Sequence, residues 1–159
     1  MLCSHTARCL QGKTLAFVLP AYHLFAAAPP VGGVSNRPCP RALVVAPTRE
    51  LALQIHVQCV QFAPAGCAAC CVYGGVPLPA QQAEVKKACK APGGAIVVAT
   101  PGRLVDLMDR ASLSLSSCGY VVLDEADRML DMGFEPQVRT VARNSESGHQ
   151  LLLTTATTR

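Results

Sequence analysis

The sequence predicts an α/β fold, an open parallel β-sheet with helices on both of its faces. Short apolar runs recur along the chain, each bounded by turn-forming residues, and the segments between them are longer, more polar and of helical length. Runs that are apolar throughout are typical of strands buried on both faces, and helix-length connections are what parallel strands require. The predicted strands are residues 41–46, 68–73, 95–99, 119–123 and 150–154.

The composition is that of a folded domain. Of the 159 residues, 50% are apolar and 15% are charged, which supplies a core and argues against disorder. Only 4% are aromatic, so we expect a core made mainly of aliphatic side chains. The length predicts one domain over residues 1–159. The net charge of +4 allows a polyanionic partner without identifying one.

The cysteines indicate an intracellular protein. They number nine, an odd count, and no secretory signal precedes them, so we expect reduced thiols in the nucleus or cytoplasm. An acid-poor, basic segment before Glu50 also leaves an organellar transit peptide open. Cys67 and Cys70 have the CxxC spacing, but no second pair completes a zinc site. We therefore expect small apolar residues of a buried strand there, and no structural metal.

Further segments are expected around these strands. Residues 2–6 are predicted to form a first strand, and the proline- and glycine-rich residues 28–40 a surface loop. The apolar run after Thr14 is shorter than the roughly 20 residues that span a bilayer, so no membrane partner is expected. Residues 53–57 alternate as a strand does, but Thr48 can cap a helix there, and a parallel crossover needs one.

A phosphate-binding loop is predicted ahead of the first long helix. Gly-Lys-Thr between a strand and a helix ends such a loop, because backbone N–H groups at the helix start meet the phosphates. We expect Lys13 to reach the β- and γ-phosphates of a bound nucleotide and the Thr14 hydroxyl to hold Mg²⁺. By itself the motif is a weak signal, since the full pattern has glycine where this chain has Ala7. The predicted loop consists of Ala7, Arg8, Cys9, Leu10, Gln11, Gly12, Lys13 and Thr14.

Asp124 and Glu125 are the predicted catalytic carboxylates, with Lys13 as the third member of the set. They end the apolar run 119–123, and ligands of open α/β sheets bind at the carboxyl ends of the strands. We expect Asp124 to hold Mg²⁺ opposite Thr14, and Glu125 to orient and deprotonate the attacking water. An acidic helix start, favoured by the helix dipole, is the competing interpretation.

Five short motifs occur along the chain, and one of them contains this acidic pair. They are Pro47-Thr-Arg-Glu-Leu-Ala52, Gly74-Gly75, Thr100-Pro-Gly-Arg103, Asp124-Glu-Ala-Asp127 and Thr155-Ala-Thr157. On these residues the chain resembles the DEAD-box RNA helicases over nearly its full length, and residues 124–136 resemble the p68-type subgroup. The resemblance implies a RecA-like P-loop NTPase fold, ATP and Mg²⁺ as cofactors, and RNA unwinding driven by ATP hydrolysis.

The resemblance also implies roles for the other motifs. One set would hold the sugar-phosphate backbone of single-stranded RNA, and such contacts position RNA without reading its sequence. Those residues are Pro47, Thr48, Arg49, Gly74, Gly75, Thr100, Pro101, Gly102 and Arg103. A second set would couple ATP hydrolysis to strand separation. Those residues are Asp127, Thr155, Ala156 and Thr157.

The sequence also departs from the family pattern. Leu10 stands where the family has glycine, and forcing it into that backbone conformation costs about 1–3 kcal/mol, so we expect weakened ATP binding. The 159 residues contain neither the family's upstream glutamine motif nor its second RecA-like lobe with the arginines that complete the ATP site. We expect an N-terminally incomplete lobe with little unwinding activity of its own. A catalytically impaired RNA-binding lobe or pseudoenzyme is the alternative, and a related DNA helicase or translocase a third.

Overall fold

The structure is a computed structural model that describes residues 6–27, 37–145 and 150–154, with side chains for residues 12–27, 37–145, 152 and 154. Strands and helices alternate along these ranges. In chain order they are α1 (Thr6–Ala27), β1 (Ala42–Val45), α2 (Arg49–Gln61), β2 (Ala68–Val72), α3 (Leu78–Ala88), β3 (Ala95–Ala99), α4 (Pro101–Asp109), β4 (Tyr120–Leu123), α5 (Ala126–Asp131), α6 (Glu135–Asn144) and β5 (Gln150–Leu153).

The strands form one five-stranded sheet in the order β2-β3-β1-β4-β5. Every neighbouring pair is parallel, and β1 is central, with Leu43 opposite Val97 on one side and Val121 on the other. Each strand lies within one of the apolar runs, so the prediction of an open parallel sheet is confirmed. Consecutive strands are parallel because a helix carries the chain back across the sheet each time.

Helices cover both faces of the sheet, as predicted. Alternate residues of the strands point to opposite faces. Val44 packs on the face covered by α1 and α2, together with Phe17 and Ile55. Leu43 packs on the other face, which α3, α4, α5 and α6 cover with residues such as Leu104. Because all four residues of β1 are buried, the strand has to be apolar throughout, which explains its lack of alternation.

Helix α2 confirms the helical interpretation of the alternating segment. Thr48 has extended backbone angles and its side-chain hydroxyl accepts a hydrogen bond from the Leu51 N–H at 3.3 Å, which caps the helix. Ala52, Ile55 and Cys59 are buried at helical spacing. The strand-like alternation arises because exposed apolar residues lie on the outer face of this helix, among them Val57 and Val60.

The amino-terminal segment differs from the prediction. Helix α1 begins at Thr6, so residues 7–14 are helical where a phosphate-binding loop was predicted. The segment contains no glycine before Gly12, and alanine, arginine, leucine and glutamine are all good helix formers, so nothing in it forces a loop. Residues 2–5 of the predicted first strand lie outside the described residues, as do residues 28–36 of the predicted surface loop.

Burial makes the cysteine thiols among the described side chains unreactive. Cys70 and Cys71 lie in β2, as predicted for small apolar residues of a strand. Burial raises the pKa of Cys71 and of Cys118 to about 12, and it also raises the pKa of Cys67, so these groups stay protonated thiols. Within the described ranges no cluster of His, Cys, Asp and Glu is suited to a metal ion. None of the helices described is long and apolar enough to cross a membrane.

The Thr48 cap gives a test of the α2 assignment. Thr48→Ala removes the acceptor of the Leu51 N–H, and we expect it to lower the free energy of unfolding by about 1 kcal/mol. Urea denaturation measures the change. Thr140→Ala is the control, because Thr140 bonds the Pro136 carbonyl in the interior of α6 and its loss should be nearly neutral. Equal stabilities for the two variants would contradict the cap.

Candidate functional site

The carboxyl ends of all the strands lie at one edge of the sheet, because the strands are parallel. The predicted motifs follow directly after these ends. Thr48 and Arg49 follow β1, Gly74 and Gly75 follow β2, Thr100 to Gly102 follow β3, and Asp124 to Asp127 follow β4. We call this the carboxyl edge. The chain thus brings its predicted phosphate chemistry and its predicted RNA contacts to the same edge of one sheet.

Asp124 is the buried centre of this edge. It is 3% exposed, and its backbone N–H donates to the Val45 carbonyl at 2.9 Å, which ties it to the central strand. Lys13 Nζ lies 3.4 Å from Asp124 Oδ1. A buried carboxylate is costly unless it is paired, and the ammonium supplies that pairing. The structure therefore brings together the two side chains on which the sequence interpretation depends.

Thr154 is a site residue that the sequence interpretation missed. Its hydroxyl donates a short hydrogen bond to Asp124 Oδ1. Its backbone N–H donates to the Leu123 carbonyl at 2.9 Å, and its carbonyl accepts from the Ala126 N–H at 3.0 Å. Thr154 therefore holds the acidic segment from both sides. The available signal was a hydroxyl at the end of an apolar run, next in the sheet to the strand of Asp124.

Only one of the predicted coupling residues lies within the described part of the chain. Thr155, Ala156 and Thr157 lie outside the described residues. Asp127 is exposed in the first turn of α5.

Glu125 has a strained backbone. Its φ is 53° and its ψ is 50°, in the left-handed region, which costs a non-glycine residue on the order of 1 kcal/mol. Such strain is concentrated at functional sites. The Glu125 side chain forms no capping bond to α5, and its Oε2 accepts from Arg128 Nη1 at 3.1 Å instead. Glu125 thus stands at the start of α5, as the competing interpretation expects, but without a capping bond from its side chain.

The side chains at this edge fit a magnesium triphosphate, whereas the backbone of residues 7–11 does not. Carboxylate and hydroxyl oxygens are ligands that Mg²⁺ prefers. Asp124 offers a carboxylate next to the Lys13 ammonium, and Thr14, the buried residue that follows Lys13 in α1, offers a hydroxyl. A phosphate loop also needs free backbone N–H groups. In a helix that begins at Thr6, the N–H groups from Leu10 onward are taken up by helical hydrogen bonds.

The loops after β1 and β2 form an open part of the edge that carries Arg49. Arg49 is exposed, and its guanidinium carbon lies 4.6 Å from the centre of the Tyr73 ring. Gly75 has a φ of 85°, a conformation that glycine adopts freely. A Cβ at Gly74 or Gly75 would meet no atom within 4 Å, so another molecule can approach the backbone closely.

The loop after β3 begins α4. Thr100 is the N-terminal cap of this helix but makes no side-chain capping bond, and its backbone N–H donates to the Val72 carbonyl at 3.0 Å. Pro101 is buried as the first helical residue, where its missing N–H has no consequence. Gly102, like Gly74, has open space where a Cβ would be. Pro47 is buried at the start of the loop after β1.

Arg103 is placed differently from its neighbours in the motif. Its side chain is only 11% exposed, and Nη1 donates to the Val76 carbonyl at 2.9 Å and to Gln81 Oε1 at 2.6 Å. Side chains in the first turn of a helix point back over its start, here onto the loop between β2 and α3. Arg103 therefore braces that loop from within. Gln81 is buried in α3 and was not singled out by the sequence.

These observations first define a class of protein. The fold is a RecA-like α/β domain with a lysine–aspartate pair, an exposed arginine and open glycines at the carboxyl edge of its sheet. The chain belongs to the DEAD/DEAH box helicase family, whose model matches residues 3–159.

Proteins similar to this chain support the assignment to this family. The chain is 48% identical over 148 residues to the ATP-dependent RNA helicase DBP3 of Phaeosphaeria nodorum, a match that covers 92% of this chain and 23% of that protein. It is 44% identical over 149 residues to the ATP-dependent RNA helicase p62 of Drosophila melanogaster, covering 92% and 20%. The chain thus spans between a fifth and a quarter of the length of these relatives.

Solved structures show the same fold. The yeast DEAD-box splicing factor Prp28 matches with a TM-score of 0.76 and 32% identity, over 93% of this chain and 34% of that one. A DEAD box protein from the hyperthermophile Methanococcus jannaschii matches with a TM-score of 0.73 and 31% identity, over 93% and 37%. The RecA-like fold and the family expected from the resemblance are confirmed.

The Thr154 hydroxyl gives a test of how Asp124 is held. Thr154→Val keeps the shape of the side chain but removes the donor to the buried carboxylate, so we expect the free energy of unfolding to fall by roughly 1.5–3 kcal/mol. Thr154→Ser keeps the donor and should lose less. Urea denaturation at neutral pH compares the two variants. A Thr154→Val protein as stable as the parent would show that the hydroxyl does not stabilise Asp124.

Proposed function

We propose that this chain is the ATP-binding lobe of an intracellular RNA helicase, working in the nucleus or cytoplasm. The lobe binds ATP and Mg²⁺ at the carboxyl edge and holds the backbone of single-stranded RNA on the same edge. The observation that carries the proposal is the contact between Lys13 Nζ and Asp124 Oδ1 beside Glu125. Unwinding coupled to ATP hydrolysis is proposed for the complete protein, with a second RecA-like lobe.

The nucleotide chemistry follows from the side chains at the edge. Lys13 binds phosphate oxygens, and Asp124 and Thr14 hold the magnesium, in part through water. Magnesium, when bound, offsets the charge of the triphosphate and of the carboxylates near it. Glu125 orients a water molecule and accepts its proton on a carboxylate oxygen. Its strained backbone supports this role, because strain is retained where the position of a side chain matters.

The RNA chemistry follows from charge and open backbone. Arg49 offers a guanidinium to a phosphate, and Gly74, Gly75 and Gly102 leave room for a close approach of the strand. Thr100, at the start of α4, adds a hydroxyl that the helix cap does not use. These groups contact the sugar-phosphate backbone, so the proposed binding is independent of sequence. Arg103 contributes indirectly, by holding the loop that carries the glycine pair.

Coupling between the two chemistries is proposed for the segment around Asp127. Asp127 lies in the first turn of α5, directly after the catalytic carboxylates. The proposed partners Thr155, Ala156 and Thr157 directly follow Thr154, which bonds Asp124 and Ala126. A displacement of Asp124 would therefore be transmitted through Thr154 to the start of the coupling motif.

A second candidate is an RNA-binding lobe with impaired nucleotide binding. The observation in its favour is the helical backbone of residues 7–11, together with Leu10 where the family has glycine. Nucleotide titration of the complete protein separates the two candidates. The expectation that residues 1–159 alone do not unwind RNA stays a prediction, which a strand-displacement assay tests.

The proposed role of Glu125 predicts a loss of hydrolysis without a loss of binding. In the complete protein, Glu125→Gln should lower the rate of RNA-stimulated ATP hydrolysis by about 10²–10⁴-fold, because the proton acceptor is removed. Affinity for a fluorescent ATP analogue should change little. Glu135→Gln, which breaks an exposed ion pair with Arg139, is the control and should retain full activity. Undiminished hydrolysis by Glu125→Gln would rule out the assigned base.

The helical phosphate segment predicts a gain of affinity by substitution. Leu10→Gly with Gln11→Ser should tighten ATP binding by up to roughly 5- to 150-fold, because it removes a backbone cost of about 1–3 kcal/mol. Isothermal titration calorimetry of the complete protein measures the change. Ala16→Gly weakens the same helix at an exposed position outside the motif and should leave affinity unchanged. No gain in the double variant would contradict this explanation of the segment.

A further inference from the structure

We propose that Tyr73 is a positioning residue for Arg49, holding its guanidinium where the phosphates of single-stranded RNA pass. This inference rests on the RNA binding proposed above and adds a residue outside the motifs identified from the sequence. Tyr73 directly follows β2, and Arg49 is the first residue of α2, so the two belong to neighbouring loops of the carboxyl edge. The guanidinium carbon lies 4.6 Å from the centre of the ring.

The ring is the fixed member of the pair. Tyr73 is half-buried and packs against the core on the face covered by α1 and α2. Arg49 is exposed, and an exposed arginine loses side-chain entropy when it is immobilised. A cation over the face of an aromatic ring within about 6 Å is attracted to it. The ring contact therefore restricts the Arg49 side chain before RNA binds, so that less side-chain entropy is lost on binding a phosphate.

No carboxylate in the described part of the chain forms an ion pair with Arg49. Among the ion pairs of the described residues, Arg128 pairs with Glu125 and Arg139 with Glu135, whereas Arg49 is in none. The ring holds the guanidinium without neutralising it, which an aspartate or glutamate would do. An arginine held by a ring keeps its full charge for an anion.

The backbone next to the ring is open to a polyanion. Gly74 and Gly75 directly follow Tyr73, and neither has an atom within 4 Å of the place where a Cβ would be. The held guanidinium and the open backbone are therefore adjacent on the edge. Because Arg49 covers one face of the ring, the contribution of Tyr73 comes through Arg49 and not through stacking of a base on that face.

A second pair of the same kind provides a matched control. Arg41 lies over the Phe25 ring at 4.8 Å, and Arg41 Nη1 donates to the Phe25 carbonyl at 3.0 Å. Arg41 precedes β1, whereas Arg49 follows it, so the two pairs lie at opposite ends of the same strand. Loss of the Phe25 ring should affect stability without touching the carboxyl edge.

The test measures RNA affinity of the complete protein by fluorescence anisotropy with a labelled single-stranded oligouridylate at several salt concentrations. Tyr73→Leu should weaken binding roughly 2- to 5-fold, the effect of an exposed cation–π contact. Tyr73→Phe keeps the ring and should bind as the parent does. In an Arg49→Gln background, Tyr73→Leu should have no further effect.

The salt dependence separates positioning from charge. Arg49→Gln should reduce the slope of log K against log salt by about 0.7, because one phosphate contact to a single strand is lost. Tyr73→Leu keeps the charge and should leave the slope unchanged. Phe25→Leu should alter neither affinity nor slope. If Tyr73→Leu melts early, Tyr73→Met, which keeps more apolar volume, takes its place.

The contrary outcomes have different meanings. Additive losses from Tyr73→Leu and Arg49→Gln, or parental affinity for Tyr73→Leu, overturn the positioning role. Equal losses from Tyr73→Leu and Phe25→Leu also overturn it, because the effect would then be general destabilisation. An Arg49→Gln protein with parental affinity and salt slope overturns the proposed RNA contact itself, which distinguishes a failure of the proposed function from a failure of this inference.

Discussion

The carboxylate of Asp124 is the constraint on which the rest of the carboxyl edge depends. It is 3% exposed, so it requires polar partners, and these come from well-separated parts of the sequence. Lys13 approaches the carboxylate from α1 and Thr154 approaches it from the end of β5, while the backbone N–H of Asp124 donates to the Val45 carbonyl of the central strand. The sheet sets β4 between β1 and β5, and this order brings all three elements to Asp124. The pairing of the buried carboxylate therefore depends on the strand order.

Two arginines at the carboxyl edge have different surroundings. The Arg103 side chain is 11% exposed, and its guanidinium donates hydrogen bonds to the Val76 carbonyl and to Gln81 Oε1. It therefore stabilises the loop between β2 and α3. Arg49 is exposed and lies over the Tyr73 ring. Both arginines stand in the first turn of a helix that follows a strand, each in a predicted RNA-contact motif. Their surroundings differ: the Arg103 guanidinium is held by hydrogen bonds within the fold, whereas the Arg49 guanidinium is exposed.

Much of the fold was predictable from short-range pattern. The strands lie in the apolar runs because burial on both faces removes any alternation, and α2 was identified by its cap and by the crossover it must make. Thr154 and Gln81 were missed because their importance comes from partners far away in sequence. The phosphate segment was predicted as a loop from a motif, while its local residues favour a helix, and the structure follows the local residues.

The sequence by itself determined the sheet and the family, because apolar periodicity and motif order are local properties. From the same motifs it predicted Lys13, Asp124 and Glu125 as the catalytic set. The tertiary structure alone decided that Thr154 bonds Asp124, that Arg103 turns inward and that Arg49 lies over Tyr73. These contacts depend on which strands are neighbours and how their loops meet, and no stretch of chain encodes its neighbours in space.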